Sequence, residues 1–232
     1  MDKYILLIET ATDACSVAIT KNGETVSEKF INEPKAHASV IGGYITEILA
    51  ENSITMDDCS AVAVSKGPGS YTGLRVGVSC AKGLCYGASK PLISVCTLAT
   101  IAQMAIDNNL YPGKEEFLII PMIDARRMEV YTANFNSKGE QLSPVEAKIL
   151  DETSYAAELA AGPVLFTGNG AEKFKELVGN HPNAYFAPQA PHAKGMRVIA
   201  STKFEAAEFE DNAYFEPFYL KDFVAGKPKK LL

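Results

Sequence analysis

A glycine-rich loop is the most conspicuous candidate for chemistry in this sequence. It runs from Gly67 to Gly73, between a predicted strand and a predicted helix. Backbone N–H groups in such a loop can converge on an anion at the positive end of the helix dipole. The loop matches neither G-x-x-x-x-G-K-[ST] nor G-x-G-x-x-G, so neither nucleotide-binding mechanism transfers. The alternative is a tight turn in which Ser70 or Thr72 caps the helix.

Two acids offer a second kind of chemistry. Glu9 and Asp124 each end an apolar strand, so both could face one cleft and hold a magnesium ion. The favoured alternative is that each carboxylate accepts hydrogen bonds from the turn that follows it. Arg126 and Arg127 follow Asp124 closely. They could pair within the chain or face a phosphate, but adjacent arginines more often form a solvated turn.

Histidine and cysteine chemistry is not indicated. The histidines His37, His181 and His192 are isolated, and the 5 cysteines form no C-x-x-C pair. We therefore predict no bound metal and free thiols, as in a reducing cytosol. No serine or cysteine has a base near it in sequence, so we predict no catalytic nucleophile.

Two helices carry unusually small faces. Gly73, Gly77 and Ala81 recur every four residues, and Leu74 and Val78 lie beside them. Such a face either packs on the sheet of its own lobe or docks a second helix. A preceding amphipathic helix with Gly42 and Gly43 favours the second interpretation. The predicted partner interface comprises Ile41, Tyr44, Gly73, Leu74, Gly77, Val78 and Ala81.

Composition limits the function classes. The chain has 232 residues and a net charge of −6, from 22 basic and 28 acidic side chains, which argues against a broad phosphate-binding surface. No stretch approaches the roughly 20 apolar residues of a membrane span. The lysine-rich C-terminus (Lys221, Lys227, Lys229 and Lys230) could contact tRNA, although a solubilising role is the simpler interpretation.

The order of elements indicates an internal duplication. Tyr4–Ile8 and Phe117–Ile123 are apolar strands, each followed by an acid, a polar turn, an alternating strand and a Gly-Glu turn. We predict two α/β lobes, residues 1–107 and 114–232, with the C-terminal segment packing back on the first. Beyond the second hairpin the sequence predicts a loop over Pro182–Pro191 and a helix over Ala193–Glu208.

Four segments together resemble the bacterial TsaB family. They are Ile5–Ile19 (ILLIETATDACSVAI), Gly67–Gly83 (GPGSYTGLRVGVSCAKG), Asp124–Tyr131 (DARRMEVY) and Glu216–Leu220 (EPFYL). The resemblance covers the whole chain in the family's order and length. It implies the actin/Hsp70/sugar-kinase (ASKHA) fold, with two ribonuclease-H-like lobes, which agrees with the duplication.

The resemblance also implies a function. TsaB-like proteins are non-catalytic cytoplasmic subunits of the machinery that installs threonylcarbamoyl on the adenosine next to the anticodon of tRNAs reading A-starting codons. They bind and activate the catalytic paralogue TsaD through a helical interface, with the ATPase TsaE, and tRNA is met only through that complex. We also expect a homodimer in isolation, because the same surface is then uncovered.

Comparison with TsaD-like sequences bears on catalysis. Two histidines four residues apart bind the catalytic metal there, and the matching positions here are Thr97 and Ile101. The resemblance leaves only vestigial nucleotide contacts, at Glu9, Thr10, Ser70, Asp124, Gly168 and Gly170. The alternative hypothesis is an ATP-dependent kinase or ATPase of the same fold. A third possibility, a metallopeptidase, is disfavoured because the sequence lacks a set of metal ligands.

Overall fold

The first sheet combines an antiparallel meander with two parallel strands. The computed structural model describes residues 2–221. A continuous apolar run forms the central strand β1, since both of its faces are covered. The strands are β1 Tyr4–Glu9, β2 Ala14–Lys21, β3 Glu24–Asn32, β4 Cys59–Gly67 and β5 Leu92–Cys96. Their spatial order is β3-β2-β1-β4-β5, with β4 and β5 parallel to β1.

The second sheet repeats this arrangement. Its strands are β6 Leu118–Asp124, β7 Glu129–Thr132, β8 Phe135–Asn136, β9 Glu146–Ile149, β10 Val164–Thr167 and β11 Ala184–Ala187. The order is β9-β7-β6-β10-β11, again with an antiparallel meander beside two parallel strands. The turn glycines Gly23 and Gly139 have φ angles of +88° and +84°. Both sheets therefore have the strand order of a ribonuclease-H-like lobe, as the duplication predicts.

Six α-helices and two short 3-10 helices connect the strands in the described part of the chain. The α-helices are α1 His37–Glu51, α2 Tyr71–Ala88, α3 Thr97–Asp107, α4 Ala156–Ala161, α5 Ala171–Val178 and α6 Arg197–Glu205. The 3-10 helices are Met56–Asp58 and Ala193–Met196. The predicted loop over Pro182–Pro191 is wrong at its centre, where β11 lies. None of the helices between residues 2 and 221 has the length and hydropathy to cross a bilayer.

The two sheets exchange helices. Helices α1 and α2 cover the face of the first sheet that carries Leu6 and Ile8. The opposite face, with Leu7, is covered by Ala193 and Met196 from the 3-10 turn before α6. Helix α3, within the predicted first lobe, packs on the second sheet, whose other face is covered by α4 and α5. The covalent boundary near residue 107 therefore differs from the boundary between the hydrophobic clusters.

The segment after α6 lies against the first lobe. Lys82 of α2 donates from Nζ to the carbonyl oxygens of Ala213 at 3.2 Å and Phe215 at 2.9 Å. The Phe215 ring packs on the first-sheet cluster, and the Phe218 amide donates to the Lys66 carbonyl at 2.7 Å. The lysine-rich C-terminus is interpreted from the sequence as a solubilising segment rather than a tRNA contact. Its Lys221 pairs with Glu129, whereas Lys227, Lys229 and Lys230 lie outside the described residues.

Removing the Lys82 ammonium is expected to loosen this segment. We predict that Lys82→Met lowers the free energy of unfolding by roughly 1–2 kcal/mol, since two carbonyl groups lose a charged donor. Hydrogen exchange at the Phe215 and Phe218 amides should become faster. Lys175→Met, which changes an exposed lysine of α5, is the control. Equal exchange in the two variants would show that the segment is held by its apolar contacts alone.

Candidate functional site

The glycine-rich loop packs on the turn between β1 and β2. A Cβ atom at Gly69 would lie closer than 3.0 Å to the Ala11 carbonyl oxygen, so only glycine allows this approach. The Ser70 amide donates to the same oxygen at 2.6 Å. The Ser70 hydroxyl accepts from the Gly73 amide at 3.3 Å and caps α2. The amides of Ser70 and Gly73 are therefore already bonded within the chain, and the loop is the tight capping turn.

The small face of α2 points inward. A Cβ atom at Gly73 or Gly77 would lie closer than 3.0 Å to Thr10, to its carbonyl oxygen and its Oγ1 respectively. All five α2 residues of the predicted partner interface are buried: Gly73, Leu74, Gly77, Val78 and Ala81. Ile41 of α1 is buried too, and Tyr44 is half-buried. The prediction of a docking surface at Gly73, Gly77 and Ala81 is wrong, because all three are buried and the two glycines approach Thr10, directly after β1.

A different surface of the same two helices is open. A Cβ atom at Gly42, Gly43, Gly83 or Gly87 would meet no atom of residues 2–221 within 4 Å. Half-buried apolar side chains flank these glycines: Val40, Tyr44 and Leu49 on α1, and Val76, Cys80 and Leu84 on α2. Tyr86 beside them is 84% exposed. We call this set the two-helix face. The four-residue step from Gly83 to Gly87 signals it in the sequence, as does the pair at 42 and 43.

Glu9 lies in the interior. Its Oε1 accepts from the Ala11 amide at 2.6 Å, while Oε2 is buried without a hydrogen-bond partner among residues 2–221. Burial raises the pKa of the Glu9 carboxyl to about 7, against the opposing effect of hydrogen bonds from Ala11, Ser65 and Thr10. The hydroxyl groups of Thr10 and Thr97 are also buried and unpartnered within the described chain. The first acid therefore does not face an open cleft.

Asp124 is exposed and already paired. Lys173 of α5 approaches its Oδ1 at 2.7 Å, and the Arg126 amide donates to the same oxygen at 2.6 Å. Because one acid is buried and the other is neutralised within its own lobe, they do not form a magnesium-binding pair, which is the less favoured interpretation of the sequence. The alternative prediction, of carboxylates bonded to turn amides, describes both.

The second glycine loop repeats the geometry of the first. A Cβ atom at Gly168 would lie closer than 3.0 Å to the Met122 carbonyl oxygen. One at Gly170 would lie 2.9 Å from Cγ1 of Val130. The loop is thus pressed on the β6–β7 hairpin, as Gly69 is pressed on the β1–β2 turn. Both candidate nucleotide loops are therefore in close contact with the first hairpin of their own lobe.

The positions matched to metal-binding histidines lie in the core. Thr97 and Ile101 start α3 and have no solvent exposure. Ile101 packs with Ile119 and Leu165 of the second sheet. A hydroxyl is a weak metal ligand and an alkyl chain is none, so these side chains offer a cation no coordination.

Two sheets of one ribonuclease-H-like strand order, each with a glycine loop against its first hairpin, define an actin/Hsp70/sugar-kinase protein. The comparisons agree. A family model described as "TsaD: tRNA N6-adenosine threonylcarbamoyltransferase" matches residues 24–229. The chain is 34% identical over 233 residues to Escherichia coli "tRNA threonylcarbamoyladenosine biosynthesis protein TsaB", covering 96% of each. The Bacillus subtilis protein of that name is 30% identical over 177 residues, covering 75% of this chain and 74% of its own.

Solved structures agree as well. "YeaZ from Pseudomonas aeruginosa" superposes with a TM-score of 0.79 at 26% identity, covering 94% of this chain and 100% of that one. The chain belongs to the TsaB family. The family predicted from the four sequence segments, and the ASKHA fold that it implies, are therefore confirmed.

Proposed function

We propose that this chain is a non-catalytic subunit of the machinery that makes threonylcarbamoyladenosine in tRNA. The names of its Escherichia coli and Bacillus subtilis relatives support the pathway, and the match to the transferase family model supports a common origin with the catalytic paralogue. In this proposal the chain binds and activates TsaD, and TsaE joins the pair. The protein acts in the cytoplasm and meets tRNA only within the complex.

The two-helix face is the observation that carries this proposal. Each glycine inside a helix costs about 1 kcal/mol relative to alanine, and a Cβ atom at any of these four would meet no other described residue within 4 Å. Their use is explained if helices of a partner approach closely and bury the half-buried apolar side chains around them. A homodimer of the isolated chain would cover the same surface.

The proposal that the chain is not catalytic depends on residues in its interior. Glu9 is buried, and both glycine loops pack against turns of the same chain. Thr97 and Ile101 occupy the positions that match the metal-binding histidines. A kinase or ATPase of this fold would need room for the phosphates at these loops. We expect calorimetry with ATP and Mg²⁺ to give no heat of binding for the isolated chain; micromolar binding lost in Glu9→Ala would favour the kinase alternative.

Substitutions on the two-helix face test the proposed interface. We predict that Gly43→Leu and Gly83→Leu each weaken binding to purified TsaD at least tenfold, because a leucine side chain blocks close helix approach. The fold should tolerate both, since nothing lies within 4 Å of either Cβ position and leucine favours helix. Binding is measured by calorimetry and the melting temperature by circular dichroism.

Gly162→Leu is the matched control. Gly162 lies after α4 in the second lobe, and a Cβ atom there also meets nothing within 4 Å. This variant should bind TsaD like the unmodified chain. Light scattering of the isolated chain should show a dimer that Gly83→Leu converts to a monomer. If both α1 and α2 variants keep full affinity for TsaD, the proposed interface is wrong.

A further inference from the structure

The turn between β6 and β7 holds two adjacent arginines in a backbone conformation that arginine rarely adopts. Arg126 and Arg127 have φ angles of +70° and +50°. Residues other than glycine, asparagine and aspartate are strained there, because Cβ crowds the neighbouring backbone. Both arginines are exposed, and neither guanidinium contacts an acid, a ring or a hydrogen-bond acceptor among residues 2–221. The turn keeps this strain although neither charge is used within the described part of the chain.

Another hairpin turn of this chain reaches positive φ angles without strain. Between β2 and β3 the chain places Asn22 and Gly23 at φ angles of +52° and +88°. Asparagine and glycine tolerate positive φ, which makes this pair common in hairpin turns. Strain that persists where a simple replacement would remove it is concentrated at functional sites. Five other described residues that are neither glycine nor asparagine also have positive φ, but each stands alone in the chain. The adjacent pair Arg126 and Arg127 is therefore the feature that needs a role.

The charges around the turn favour a polyanion. Lys173 pairs with Asp124 at 2.7 Å, and Lys221 pairs with Glu129. The acids nearest the turn are thus neutralised, and the two arginines add uncompensated positive charge in a chain of net charge −6. Guanidinium groups form paired hydrogen bonds with phosphate oxygens. The corresponding first-lobe residues, Thr10–Thr12, are buried, so only the second hairpin is free for such contacts.

We propose that Arg126 and Arg127 bind the phosphodiester backbone of tRNA when the chain is part of the modification complex. The inference rests on the proposed function and extends it, since it assigns this subunit a direct contact with the substrate. The two guanidinium groups supply sequence-independent affinity and orient the tRNA on the complex. They take no part in the chemical step.

The test replaces both residues with the pair that the chain uses elsewhere. The complex of TsaD with the Arg126→Asn/Arg127→Gly variant is first verified by size-exclusion chromatography. Its affinity for an unmodified tRNA transcript that reads an A-starting codon is then measured at several salt concentrations. We expect binding about tenfold weaker or more, and a plot of log affinity against log salt less steep by about 1.4–1.8. The isolated variant should melt at a higher temperature than the unmodified chain, because the strain is gone.

Arg126→Lys/Arg127→Lys is the charge-preserving control and should keep most of the salt dependence. A complex that forms but binds tRNA with unchanged affinity and slope overturns the arginine contact alone. A double variant that melts lower than the unmodified chain also overturns it, since the arginines would then serve the fold. If the unmodified chain does not bind TsaD, the proposed function fails, and this inference fails with it.

Discussion

Gly73→Ala is expected to lower the free energy of unfolding by about 3 kcal/mol, although alanine is the better helix former. The new Cβ atom would lie closer than 3.0 Å to the carbonyl oxygen of Thr10, which belongs to the backbone at the end of β1. Neither partner is a flexible side-chain tip, so the helix must move away from the sheet. Overpacking of this kind costs 1–3 kcal/mol or more. Urea unfolding followed by circular dichroism measures the loss.

Gly83→Ala on the same helix is the matched control. A Cβ atom at Gly83 meets nothing within 4 Å, so alanine should raise stability by about 0.5–1 kcal/mol through helix propensity. The two substitutions are chemically identical, and the measurement is made at a concentration where the chain is monomeric. The difference between them therefore reports the approach of α2 to β1. Equal effects would mean that Gly73 does not contact Thr10 as described.

Glu9→Gln should stabilise the protein at pH 8 by about 3 kcal/mol and leave it unchanged near pH 4. Burial raises the pKa of the Glu9 carboxyl from 4.5 to about 7, and each pKa unit corresponds to about 1.4 kcal/mol. The folded chain thus binds a proton more tightly than the unfolded chain. Its contribution to stability is complete below pH 4.5 and is lost as the pH rises through about 7. The neutral amide of glutamine avoids that loss.

Urea unfolding between pH 4 and 8.5 gives the difference between Glu9→Gln and the unmodified chain. Asp151→Asn serves as a control of opposite sign. Hydrogen bonds from Thr153, from its side chain and then its amide, and from Ser154 lower the pKa of Asp151. The contribution of the Asp151 carboxylate to stability is present above pH 3.8 and is lost only at more acidic pH. A stability difference for Glu9→Gln that stays constant with pH would place the carboxyl in contact with solvent.

The sequence contains enough to predict the fold, because the lobes keep the same local signals. An apolar strand, an acid and a Gly-Glu turn recur, and the structure gives both sheets one strand order. The strands that were missed, β9 and β11, lie at the edges of the second sheet. Each has four residues, none of them buried, so neither has an alternating pattern. The duplication itself requires a third and a fifth strand in that lobe, and would have located them.

The candidate site was less predictable because small residues at four-residue spacing have two uses. Gly73 and Gly77 bring α2 against its own lobe, whereas Gly83 and Gly87 leave space at the surface, and the spacing is the same. Only the distance to β1 separates these cases. The strain at Arg126 and Arg127 was also invisible, since the sequence shows two adjacent arginines but not their φ angles.

The exchange of helices between the sheets has a consequence for synthesis on the ribosome. The face of the first sheet that includes Ile5 and Leu7 is covered by Ala193, Met196 and Ala200. When all five strands of that sheet have left the ribosome, the residues that cover this face have not yet been made. The apolar face stays exposed until most of the second lobe has been translated. The first lobe therefore cannot finish folding before the second, unlike a chain whose domains fold one after another.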